Sequence, residues 1–220
     1  MTPAHIFFIP SVFFLGLFIG ATVASRRKAT TEALSGDSGV TSGSGRTLVM
    51  AFIVFAVIFS VTHLMPQFGG AKAVSLAAHG MPLLDQRPVF SSFDVLQRLD
   101  AFGVPGRTMY QRFTYTVDVI FPLSLLIFLT LLVRFVDHRI ALNKRWRNAL
   151  AILPFIWFGA DMVENAIVFT LISQFPSENN LLGAIVGFVT VVKFSLLLLS
   201  IASPAILLVF LKKEPQIARK

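Results

Sequence analysis

Residues 149–173 read ALAILPFIWFGADMVENAIVFTLIS. The stretch is apolar except for a few positions, and it carries no lysine or arginine. At 1.5 Å of helical rise per residue it is about 37 Å long, enough to cross a hydrocarbon layer about 30 Å thick. Asp161 and Glu164 sit inside it. A carboxylate facing lipid at a helix centre costs about 2.5–3.5 kcal/mol even on the lower scales. Asp161, Glu164 and Asn165, at i, i+3 and i+4, share one helix face, so that face has to meet other protein groups. The stretch therefore predicts a membrane helix within a bundle.

Four further runs have the length and apolarity of a span: 4–24, 48–65, 113–135 and 182–211. The fold class expected is all-α, a polytopic helical membrane bundle of five transmembrane helices. Composition agrees. Of 220 residues, 55% are hydrophobic and 14% charged, phenylalanine occurs 23 times, and mean hydropathy is +0.76. A soluble domain of this size has no way to hide that much apolar surface. Cysteine is absent, which excludes disulfides, iron–sulfur clusters and thiol catalysis.

The net charge of +8 raises the question of nucleic acid, and position answers it. The run 4–24 has no basic residue before it, and Arg26-Arg27-Lys28 follow it. This reverses the charge order of a signal peptide and predicts a retained helix with its N-terminus outside. With five alternating spans, thirteen basic residues fall in inside segments: Arg26, Arg27, Lys28, Arg46, Arg134, Arg139, Lys144, Arg145, Arg147, Lys212, Lys213, Arg219 and Lys220. Five fall outside: Lys72, Arg87, Arg98, Arg107 and Arg112. The bias predicts an N-out, C-in multi-pass protein of the plasma (inner) membrane. It accounts for the charge with the lipid bilayer as partner and no nucleic acid.

Residues 29–46, rich in Ser, Thr and Gly, read as a flexible cytoplasmic linker. Residues 66–112 form an outer loop. Within it, Ser91 and Asp94 resemble a capping box, and Gly103 with Pro105 forms a stop signal, so a short interfacial helix is expected at about 92–102. Phe93, Leu96, Leu99 and Phe102 recur on its apolar face.

Four ionisable residues lie inside the spans: Asp118, Asp161, Glu164 and Lys193. Asp161 is near the middle of its span. Glu164 lies about 4–5 Å outward, at the depth of Lys193, which predicts a direct Glu164–Lys193 pair. Asp118 is placed above this pair and Asp161 below. Trp157 stands one turn from Asp161, and Thr190 one turn from Lys193. Gln111, Thr114, Tyr115, Asp118 and Pro122 share a stripe. The polar cluster expected thus comprises Asp118, Asp161, Glu164, Asn165, Lys193, Tyr115, Trp157 and Thr190. Three carboxylates against one ammonium carry −2 when all are ionised, which calls for a proton on a carboxyl or an external cation. Toward the inner side the spans offer only hydroxyls, at Thr22, Thr130, Ser195, Ser200 and Ser203.

Gly183 and Gly187 form a small-xxx-small seam that permits close helix approach, by another membrane subunit or a second copy of the chain. His5, His63, Met65, His79 and Met81 supply imidazole and thioether groups on the outer side, a ligand set that suits copper(I); interfacial anchoring explains His5 and His63 as well. No G-x-S-x-G, HExxH, P-loop or Rossmann pattern is present, and no cofactor is indicated. The string Gly106-Arg107…Tyr110…Asp118…Phe121-Pro122, then Asp161-x-x-Glu164-Asn165 and Lys193, resembles a pattern in small bacterial membrane proteins; it implies no activity.

Three functions stay open at this point. One is a non-enzymatic accessory, assembly or lipid-binding component whose charge cluster organises the bundle. Another is a proton- or cation-coupled carrier or channel. The third is an integral enzyme acting on a lipid or isoprenoid.

Overall fold

The computed structural model describes residues 45–140 and 142–210. The predicted span 4–24, most of the linker 29–46 and His5 lie outside the described residues. Among those described, all regular structure is helical. The chain runs through α1 (Gly45–Phe59), α2 (Ala71–Ala77), α3 (Ser92–Ala101), α4 (Gly103–Thr114), α5 (Val117–Ile140), α6 (Lys144–Gln174) and α7 (Asn180–Phe210). A π-helical turn, Ser60–Leu64, prolongs α1, and a 3-10 turn, Pro66–Phe68, follows it. Four helical stretches are long and apolar enough to cross a membrane: Gly45–Leu64, Gly103–Ile140, Lys144–Gln174 and Asn180–Val209. Gly45 and Arg46, read from sequence as the end of the linker, are the first residues of α1.

Three helices start on side-chain caps. Ser91 Oγ accepts from the Asp94 backbone N–H at 3.2 Å, Asn143 Oδ1 from Trp146 at 3.1 Å and Asn179 Oδ1 from Leu182 at 2.9 Å. Each bond satisfies a donor that the first helical turn leaves unpaired. Gly103 ends α3 in the left-handed region, at φ +65°. It does not end helical structure in the loop, because α4 starts at the same residue. Pro105 falls in the first turn of α4, where a missing N–H costs nothing.

The long helices α6 and α7 form the principal pair, and α5 packs on both of them. α1 lies against α5 through a seam of rings. Phe55 stacks on Phe128 at 5.9 Å and meets Phe121 at 5.9 Å, while Phe52 meets Phe128 at 5.5 Å. Its other side is open among the described residues, with Val49, Met50, Val54 and Val57 each more than half exposed. In lipid such a face loses nothing by exposure, and van der Waals fit between rings carries the association.

Residues 66–114 fold onto one end of this bundle. α3 packs on α7, and α4 packs on α2 and α6. A core of Val74, Leu83, Leu84, Val95, Leu99 and Phe102 continues into Ile167, Val168 and Leu171 of α6 and Val186 of α7. A second apolar cluster, Leu125, Leu126, Leu129 and Trp157, lies deeper in the bundle. Asp161 and Glu164 fall on α6 between the residues of these two clusters.

Candidate functional site

Four residues of the expected cluster come together between α6 and α7. Lys193 Nζ donates to Glu164 Oε2, and Thr190 Oγ1 donates to Glu164 Oε1, so both oxygens of that carboxylate have donors. Asp161 Oδ1 lies 3.2 Å from Lys193 Nζ. All four residues are buried: Glu164 is 1% exposed, Thr190 1%, Asp161 5% and Lys193 6%. Helical spacing produces the convergence. Three residues on α6 aim Asp161 and Glu164 at one neighbour, and three on α7 bring Thr190 and Lys193 to the same point.

A third carboxylate comes from outside the long helices. Asp85 Oδ2 stands 3.9 Å from Lys193 Nζ, with its side chain about a quarter exposed. Sequence reasoning missed it, because an acid in a loop of turn-forming residues reads as solvated. Its only local sign is its position after two leucines that are both buried, Leu83 and Leu84.

The segment bearing Asp85 is held on all sides. Tyr110 Oη accepts from the Leu84 backbone N–H at 3.1 Å. The Arg98 guanidinium donates to the Arg87 carbonyl and, at 3.2 Å, to the Pro82 carbonyl. Burial draws Arg98 below the ordinary arginine pKa. On α7, Gly187 abuts the Val89 carbonyl and Phe90, and a Cβ at Gly183 would lie 2.6 Å from Ser92 Cα. The seam at Gly183 and Gly187 thus does permit close approach, and this chain's own segment 89–92, which leads into α3, lies against it.

The remaining expected residues are more scattered. Asn165 is buried, and its Nδ2 donates to the Asp118 backbone carbonyl at 3.5 Å. The Asp118 carboxylate makes no ion pair with Lys193 among the described residues. Tyr115 meets Phe169 edge-on at 5.6 Å. It sits at the break between α4 and α5, at φ −116° and ψ 8°. This break interrupts the stripe drawn from Gln111 to Pro122. Gln111 donates to Ser173 Oγ at 2.7 Å. Trp157 is 1% exposed and belongs to the deeper apolar cluster.

Three buried polar atoms have no hydrogen-bond partner among the described residues: Asp85 Oδ1, Asp161 Oδ2 and Trp157 Nε1. Two of them are second oxygens of carboxylates already facing Lys193. With Glu164, three carboxylates face one ammonium, a formal net charge of −2.

The histidines His63 and His79 occupy separate settings. His63 lies over Phe59 at 4.6 Å, edge-on to Phe121 at 4.5 Å, with Nδ1 2.8 Å from Thr62 Oγ1. His79 holds a left-handed backbone at φ 56°. Met65 is exposed, and Met81 packs on the loop-side core. Among the described residues, no group of three His, Cys, Asp or Glu side chains is arranged to hold a metal ion.

Fold and site together define a helical protein with four apolar helices long enough to span a membrane and a buried lysine–carboxylate cluster. In comparisons with known proteins, no family model, no curated protein and no solved structure matches the chain.

Proposed function

We propose that the protein is a non-enzymatic accessory, assembly or lipid-binding component of the plasma (inner) membrane, inserted N-out and C-in. On this reading the Lys193 cluster fixes how α6, α7 and the Asp85 segment fit together. The observation that carries it is closure: Lys193, Glu164, Thr190 and Asp161 are each under 7% exposed, with partners drawn from the protein itself. Buried polar groups of this kind set register between helices, because any other register strands a charge. The open apolar face of α1 supplies lipid or subunit contact area.

A second reading, a proton- or cation-coupled carrier using Asp161, Glu164 and Lys193, draws support from the unpartnered oxygens of Asp161 and Asp85. Flux assays separate the two. With the full chain in sealed vesicles under an imposed pH or sodium gradient, the accessory reading predicts no flux above empty vesicles. Flux abolished by Asp161→Asn would replace it with the carrier reading. Reporter fusions at the C-terminus and within 66–112 test the orientation, and a C-terminus found outside contradicts it.

A further inference from the structure

Basic side chains from α1, α5 and α6 lie at the end of the bundle away from the Lys193 cluster. Phe135 of α5 joins two of them. A Cβ on Gly45 would lie 3.8 Å from its ring, which brings the start of α1, with Arg46, to this corner. The Arg139 guanidinium lies over the same ring, 4.8 Å from its centroid. The first turn of α6 adds Lys144, Arg145 and Arg147, oriented by the Asn143 cap on Trp146. Arg46, Arg139, Lys144, Arg145 and Arg147 are all exposed. The one acidic residue between 134 and 147 is Asp137, which stands 4.0 Å from Arg147 and is itself mostly covered.

Trp146 projects from this group with 62% of its surface exposed. An exposed indole at the end of an apolar span, among lysines and arginines, is the side-chain set that lies at the level of lipid headgroups. Topological bias asks only that basic residues lie on one side. It does not require that α1 and α5 share the Phe135 ring, or that α6 be tied to α5 through Arg147 and Asp137 beside an exposed indole.

We propose that this corner is a binding site for anionic phospholipid, with the headgroup phosphate held by Arg46, Arg139, Lys144 and Arg145 and the lipid's upper acyl chain against Trp146. The inference gives a lipid class to the lipid-binding part of the proposed function. It shares no residue with the Lys193 cluster, so its failure and the failure of that reading are distinguishable.

Tryptophan quenching in vesicles containing the full chain tests it. Phosphatidylcholine vesicles receive either chain-brominated phosphatidylglycerol or chain-brominated phosphatidylcholine at equal fraction, and Trp146→Phe assigns the part of the signal that Trp146 contributes. The expected result is preferential quenching of Trp146 by the brominated phosphatidylglycerol. Each charge removed by Arg46→Gln, Arg139→Gln, Lys144→Gln or Arg145→Gln lowers that preference by up to about fivefold. High salt, which leaves the sequence intact, reduces it in the unaltered protein. Equal quenching by the two lipids, or a preference unchanged in the fourfold variant, overturns the proposal. So does loss of the preference on adding inorganic phosphate at constant ionic strength, which would assign the corner to a soluble anion.

Discussion

Two glycines in long helices respond in opposite directions to the same substitution. At Gly187 of α7, a Cβ would run into the Val89 carbonyl and come within 2.8 Å of Phe90 Cδ1 and 2.9 Å of Cε1. The phenyl ring has room to turn, since Phe90 is half exposed. The carbonyl does not, because its segment is tied by Arg98 and by Ser92 against Gly183. Overpacking of this kind costs about 1–3 kcal/mol, and alanine's better helix propensity returns at most about 1 kcal/mol. Gly187→Ala is therefore destabilising by up to about 2 kcal/mol on balance. At Gly159 of α6 nothing lies within 4 Å of the added carbon, so Gly159→Ala keeps only the helix term and gains up to about 1 kcal/mol. Reversible unfolding in mixed detergent micelles, followed by helical circular dichroism, measures both. Shifts of the same sign, or a stabilised Gly187→Ala protein, refute the claim that segment 89–92 is seated on α7.

Two further substitutions test how the segment 82–92 is held. Tyr110→Phe leaves the buried Leu84 N–H without its acceptor and costs about 1–3 kcal/mol, with faster amide exchange at Leu84 as the local readout. Ser91→Ala removes the cap of α3 and costs about 1 kcal/mol; exchange at Asp94 rises, while that of α6 does not.

Much of the site is readable from one helix at a time. Asp161, Glu164 and Asn165 are neighbours on α6 by spacing alone, as Thr190 and Lys193 are on α7. The expense of a lone charge in an apolar run then requires the two sets to meet. Asp85 was not readable, because it reaches Lys193 through the fold of a loop, and loops carry no periodicity that reports direction. The relative phase of Tyr115 and Asp118 was not readable for a related reason. The stripe from Gln111 to Pro122 assumes one continuous helix, but the backbone breaks at Tyr115–Thr116, and residues on either side of the break lose their common phase. The glycine pair on α7 does mark a close approach. Small residues report that something comes near, and nothing in them says whether it is a helix or an extended strand of chain.

The account rests on Lys193 being the charge that makes its three carboxylates tolerable. Removing it by Lys193→Met strands them, a loss of about 3–5 kcal/mol for a buried pair. Adding Glu164→Gln to that variant removes the carboxylate most deeply committed to the lysine, and adding Asp161→Asn removes the next. The measurement is the unfolding free energy of the single, double and triple variants under one set of conditions. The account predicts the single variant to be the least stable, with recovery at each further step. A double and a triple variant no more stable than Lys193→Met alone would contradict it.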